Sequence, residues 1–332
     1  MPINIAALFF NGLSLGCMWG VIFSFLEGRR TTDILASIMG VSMALSSGVA
    51  KSLGLYALND LGVSEFWMPA LIGAFAFPLL CLLGWTMTRF PRPTAADMAA
   101  RSERVTLDGR QRRELVSRFM PLLVMFFGAN LLLTVQRDIK EDFIVCIIDV
   151  STVSSWAFAY IDSIATIVLL AVFAILSASG NHLRVLCGIL LLAAGGMGTI
   201  AALGATPATL PTDTWLFLQT LCIDIAYLSF QTIFFERFIA CFRIWGNVGF
   251  FIITIDFVGY LGTLAILLYK ELGAPHIDWG TFYDKMSIYI GIACCMAFIG
   301  STAYIINAMR RRGKPTTGDI DNNNVIITPT AS

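Results

Sequence analysis

The sequence predicts an all-α polytopic membrane protein, on three observations. Of 332 residues, 57% are hydrophobic and only 13% are charged, too few charges to cover the surface of a water-soluble domain. Mean hydropathy is +0.77. The apolar residues come in blocks of about 20, the length that crosses a bilayer core as a helix. These blocks lack the two-residue alternation of a membrane β-barrel.

Nine such blocks follow one another, at residues 5–26, 33–57, 65–88, 118–138, 153–178, 183–204, 213–236, 245–269 and 286–308. The third is stopped by Pro91 and Pro93 in "RFPRPTAADMAARSERVTLDGRQRRELVSR". Thr94 followed by Asp97 has capping-box spacing, which predicts a short surface helix in this loop. The chain after Arg312, "GKPTTGDIDNNNVIITPTAS", is polar and reads as a disordered tail.

Orientation follows from Lys and Arg, which favour the cytoplasmic side. On one side lie Arg29, Arg30, the eight arginines from Arg89 to Arg118, Arg184, Arg237, Arg243, Arg310, Arg311, Arg312 and Lys314. Arg137, Lys140, Lys270 and Lys285 fall on the other, and Lys51 lies inside a span. This predicts a multi-pass protein of the cell (inner) membrane with its N-terminus outside and its C-terminus cytoplasmic. The basic residues lack the aromatic interleaving of a nucleic-acid surface. The eight Cys form no C-x-x-C, and His182 and His276 lie in different loops, so neither a metal site nor another cofactor is expected.

Three spans, a basic loop and six more spans, together with several strings, resemble the major facilitator superfamily. The strings "FNGLSLGCMWG", "LEGRRTTDIL", "SEFWMP", "PTAADMAARSERVTLDG", "FERFIACFRIWGNVGF" and "DFVGYLG" are similar to a bacterial subgroup of it with no assigned substrate. The resemblance implies two six-helix halves that rock about a central cavity, with the nine spans matching helices four to twelve and helices one to three absent. It divides the chain into a three-helix remnant of the N-terminal half (1–88), a basic cytoplasmic central loop (89–117), a six-helix C-terminal half (118–309) and a cytoplasmic tail (310–332). It also implies that helices three, six, nine and twelve face outward while the others line the cavity.

Charges inside spans are costly and mark candidate sites. Asp256 is the one charge between Arg243 and Lys270. Lys51, Arg137, Asp162 and Asp224 are the other candidate intramembrane charges, and the spans equated with helices six, nine and twelve have no charge in their interiors. Helical spacing extends each into a polar face: Gly249, Asp256, Gly259 and Thr263; Asp224, Tyr227 and Gln231; Ser155, Asp162 and Thr166; Asn130, Thr134 and Arg137; Gly40, Ala44, Ser47 and Lys51. An intramembrane Asp can also be a structural tie, and Lys51 and Arg137 can be interfacial.

The leading expectation is a secondary active transporter of a small polar or anionic solute, working by alternating access with a coupling ion, H+ or Na+. Asp256, Asp224 and Asp162 are its proton-coupling candidates, and Lys51, Arg137, Asn130, Tyr227 and Gln231 its substrate-binding candidates. The alternative is a non-transporting scaffold or sensor, an inactive remnant. An intramembrane enzyme is disfavoured, since its acids should cluster within a turn or two, whereas here they fall singly on separate helices. Cysteines introduced into the 89–117 loop should resist an impermeant thiol reagent in intact cells while those in the 270–285 loop react; labelling of the central loop would reverse the topology.

Overall fold

A computed structural model describes residues 32–91, 109–206, 209–229, 234–242, 248–273 and 278–312, together with Phe10, Gly12, Val21, Ile22 and Phe25. Most of the 5–26 block, the Thr94–Asp97 turn, Gln231 and the tail therefore lie outside the described residues. Within them the chain is all helix: α1 Thr32–Asn59, α2 Met68–Thr88, α3 Gly109–Ile147, α4 Ala157–Ser177, α5 His182–Ala205, α6 Thr212–Ser229, α7 Phe235–Phe242, α8 Val248–Gly273 and α9 Trp279–Arg312. A single 3-10 turn, Val150–Thr152, separates α3 from α4.

Among the described residues, five stretches are long and apolar enough to cross a membrane: Met68–Thr88, Phe119–Ile147, Ala157–Leu176, His182–Ala205 and Trp279–Arg310. Among the residues of α8 whose side chains are described, an apolar stretch runs Thr254–Tyr269. Several helices differ from the blocks read in the sequence. The 213–236 block is described in two parts, α6 up to Ser229 and α7 from Phe235, with residues 230–233 outside the described residues. The last helix begins at Trp279 rather than 286, because Asp278 precedes it as a cap and accepts a 2.6 Å hydrogen bond from the Thr281 hydroxyl. That bond, helped by backbone N–H groups, holds the Asp278 carboxyl below its ordinary range.

The largest departure is α3, predicted over 118–138 but helical from Gly109 to Ile147. Its first turns are the basic "GRQRRELVSR", and Pro121 is accommodated within the helix. At the other end no Gly or Pro occurs between Gly128 and Ile147, so nothing stops it after Gln136. Only Phe143, at φ −116° and ψ 16°, departs from helical geometry there.

In lipid, helices associate through close packing rather than through exclusion of water. The most extensive contact joins α5 to α9, and α3 packs on both α8 and α9, while α1 packs on α4. Glycines permit the closest approaches. A Cβ on Gly291 would lie 2.7 Å from the Met197 carbonyl oxygen, and one on Gly204 would lie 2.5 Å from that of Asp284. A cluster of rings ties α3 to α7, with Phe126 edge-on to Phe234 at 4.6 Å between centroids and Phe119 edge-on to Phe238 at 5.5 Å. By contrast α2 has no buried residue.

Gly291→Leu should therefore force α5 and α9 apart and destabilise the protein by about 1–3 kcal/mol, read as a lower unfolding temperature in detergent. Gly195→Ala, on the same α5 but with nothing within 4 Å of the new Cβ, should be tolerated. Equal tolerance of both would mean that α5 and α9 are not held this closely.

Candidate functional site

The overrun of α3 builds the site. Asn130, Thr134, Arg137 and Glu141 recur at helical spacing, so the polar face read in the sequence continues one turn further, to Glu141. Lys140, expected in an external loop, is instead buried, at 4% exposure. This corrects the prediction, and the physical reason is pairing: Arg137, Asp138, Lys140 and Glu141 each have a charged partner that lowers the cost of burial.

Glu141 is the hub. One of its carboxylate oxygens pairs with Lys51 and accepts a hydrogen bond from Ser47, both on α1. The other pairs with Lys140 at 2.9 Å. Lys140 also donates to the Thr220 hydroxyl of α6 at 2.8 Å. The α1 face carrying Ser47 and Lys51 is thereby joined to α3, and α3 to α6. Lys51 also stands 5.9 Å from the centroid of the Phe158 ring on α4. It is held by a partner and does not merely reach for the interface.

Arg137 lies over the ring of Tyr227, 4.7 Å from its centroid, in the geometry of a cation–π contact. Its Nη1 is 3.4 Å from Asp138, and Asp138 in turn accepts a 2.8 Å hydrogen bond from Thr263 of α8. Asn130 donates to the Ile255 carbonyl at 3.0 Å and stands 3.3 Å from the Thr134 hydroxyl, while its own Oδ1 is buried without a partner. Gly259 sits directly against Thr134. The Gly259–Thr263 side of α8 thus faces α3. Asp256, on the same helix, is half-buried and within electrostatic reach of Tyr227 and Tyr260.

Asp162 and Asp224 are buried, at 6% and 7% exposure. Asp162 presses on α1 where only a glycine leaves room, since a Cβ on Gly48 would lie 2.5 Å from its Oδ2. Lys140, Glu141 and Lys51 act electrostatically on both acids, the two acids act on each other, and Arg137 acts on Asp224. The structure thus brings Lys51, Arg137, Asp162, Asp224 and Tyr227 into one charged cluster shared by α1, α3, α4 and α6. Asn130 and Asp256 lie along its α8 side, and Gln231 is outside the described residues. Ser155 turns away to Asp60, at 3.1 Å.

Besides Lys140 and Glu141, sequence reasoning missed a second polar layer. Gln136 donates to Ser287 at 2.8 Å, and Tyr283 donates to Gln219 at 3.0 Å. All four side chains are fully buried between α3, α6 and α9. Gln136 Oε1 and Gln219 Nε2 lack partners. Neutral residues scattered over three helices give no signal until the helices are packed. Among the described residues, no three His, Cys, Asp or Glu side chains converge to hold a metal ion.

If Glu141 is shared in this way, Glu141→Gln should strand two lysines and cost roughly 1–3 kcal/mol. That is below the ~3–5 kcal/mol of a fully buried pair, because Lys51 and Glu141 are 22% and 19% exposed and partly screened. Lys51→Met should cost less, since Lys140 still neutralises Glu141. Thermal unfolding of the two variants measures this, and an equal or larger loss in Lys51→Met would refute the shared pairing.

No curated protein and no solved structure matches the chain. A family model described as a family of unknown function, DUF5690, matches residues 1–308. With nearly its whole length covered, the chain belongs to the DUF5690 family.

Proposed function

We propose that the chain is a secondary active transporter that moves a small polar solute across the membrane by alternating access, coupled to a cation, with nine spans of the kind found in the major facilitator superfamily. The observation that carries this reading is the charged cluster held between α1, α3, α4 and α6. A scaffold needs only packing, whereas intramembrane charges gathered from four helices are costly and suit a pathway. Depth agrees. Asp224 lies about 18 Å along α6 from Thr212, and Lys140 about 10 Å from the Ile147 end of α3, at ~1.5 Å per residue. Both are far inside a core ~30 Å thick, the region where transporter sites lie.

Helix pairing supports the same reading. The resemblance equates α1 and α4 with helices five and eight, expected to line one side of a cavity between the two halves, and α1 packs against α4. The ion pair from Lys51 to Glu141 then joins the two halves. In the transport cycle Asp224 and Asp162 exchange a coupling cation, and the polar atoms of Gln136, Gln219 and Asn130 offer neutral contacts to a solute.

Reconstitution into liposomes tests this, with panels of radiolabelled sugars, amino acids and carboxylates and an imposed proton or sodium gradient. At least one solute class should accumulate against its gradient. Asp224→Asn should reduce that accumulation by at least about tenfold, the loss expected when one charge-assisted contact is removed, while solute exchange without a gradient is affected less. Monodisperse protein that moves no solute, with or without a gradient, overturns the proposal.

A further inference from the structure

The cations of the cluster are all engaged, and two of its carboxylates are not. Lys51 and Lys140 share Glu141, Lys140 also holds Thr220, and Arg137 is seated between Tyr227 and Asp138. Among the described residues, neither Asp162 nor Asp224 has a hydrogen bond or an ion pair to a protein group, although each is more than nine-tenths buried. Counted as ionised, Lys51, Arg137 and Lys140 face Asp138, Glu141, Asp162 and Asp224, so the cluster is at least one positive charge short. A carboxylate left uncompensated in a low-dielectric interior costs several kcal/mol, so either a bound cation or a proton supplies that charge.

Nearby oxygens suggest what supplies it. Thr166 lies one turn beyond Asp162 on the same face of α4, and its hydroxyl is buried without a partner. Thr220 lies one turn before Asp224 on α6, and its hydroxyl already accepts from the Lys140 ammonium. Each helix therefore offers a carboxylate and a hydroxyl at i, i+4 spacing, and α4 packs on α6. Oxygen donors alone suit a hard cation. A divalent ion would want more acids, and no group of three converges among the described residues.

We propose that Asp162 and Asp224, with the hydroxyls of Thr166 and Thr220, form a binding site for one compact monovalent metal cation, and that the Lys140 ammonium competes with it for the same carboxylates. The site deepens the transport reading by naming the coupling ion, and it rests on that reading for its use in a cycle. Binding itself is an equilibrium property that needs no transport. Glycine at position 48 is part of the construction, because any side chain there would collide with the Asp162 carboxylate.

The test uses the full chain purified in detergent. Unfolding temperature is followed by tryptophan fluorescence while Na+, Li+ or K+ replaces choline at fixed pH and ionic strength. Na+ or Li+ should stabilise the protein saturably and choline should not. The half-maximal concentration should rise at least about tenfold in Asp162→Asn and in Asp224→Asn, as expected when a charged ligand is lost. It should rise less in Thr166→Val, which decides the matter if either Asn variant is not monodisperse. Lys140→Met should lower the half-maximal concentration, since the competitor is gone while Lys51 still covers Glu141; a purely structural lysine would not change it in that direction. The proposal fails if no metal cation stabilises the protein relative to choline, or if stabilisation survives unchanged in the Asp and Thr variants. Stabilisation by lower pH alone, with no metal-cation response, assigns the missing charge to a proton and also overturns it. A protein that binds Na+ and transports nothing keeps this site and loses the transport reading. Uphill transport indifferent to Na+ and Li+ does the reverse.

Discussion

Neutralising charge inside an apolar bundle is the constraint on which the rest of this structure depends. A single carboxylate in such surroundings would force its helix towards water or take up a proton. Glu141 escapes this because its two oxygens meet two ammonium groups, Lys51 from α1 and Lys140 from its own helix. That sharing fixes where α1 sits against α3. Lys140 extends the tie to α6 through Thr220. Three helices are thus placed by four polar side chains, and the apolar contacts of Leu55, Ile144, Phe158 and Leu216 close around them.

Packing on the other side of the bundle obeys a different rule. Between α5 and α9 the fit is set by small residues, with Gly204 and Gly291 against backbone atoms. Contacts of this kind are short-ranged and rigid, and they pass no charge between helices. The molecule therefore has one side fixed by steric fit and another fixed by ion pairs. Ion pairs can exchange partners without loss of helix, whereas a glycine seam either fits or does not. A protein that must change shape in the membrane is better served by placing its charges where helices move and its glycines where they stay together.

Much of this was legible in the sequence, and what was not has identifiable causes. Length and hydropathy mark α2, α4 and α5 to within a few residues, because each is a simple apolar block between loops. Helix α3 was misjudged because its charged turn, "QRDIKED", has the composition of an interface. Charge content and helix continuity gave opposite answers there, and continuity wins, since no Gly or Pro follows Gly128 before Ile147 and Arg137, Asp138, Lys140 and Glu141 all find partners. The facing of Asp224 with Tyr227, and of Asn130 with Thr134 and Arg137, was readable from spacing along single helices. The approach of Asp162 to Gly48 was not, for it depends on how two helices separated by more than a hundred residues cross. Gln136 with Ser287 and Tyr283 with Gln219, 151 and 64 residues apart, likewise depend on how helices cross.

Asp256 began as the most conspicuous charge in the sequence, yet it is only half-buried, and Asp162 and Asp224 are far more enclosed. Isolation along the chain measures how apolar a helix is, not how deeply one of its residues is buried. What ties Asp256 to the cluster is Tyr227, whose ring carries Arg137 on α3 and whose hydroxyl end feels the α8 carboxylate. A path of polar and charged groups therefore runs from Lys51 on α1 through Glu141 and Lys140 to the α6 face, and on through Tyr227 to Asp256. Four helices, α1, α3, α6 and α8, contribute to it. Any shift of α1 or α8 against α3 alters the electrostatic surroundings of the carboxylates along that path, so the charge each can carry depends on how these helices sit against one another.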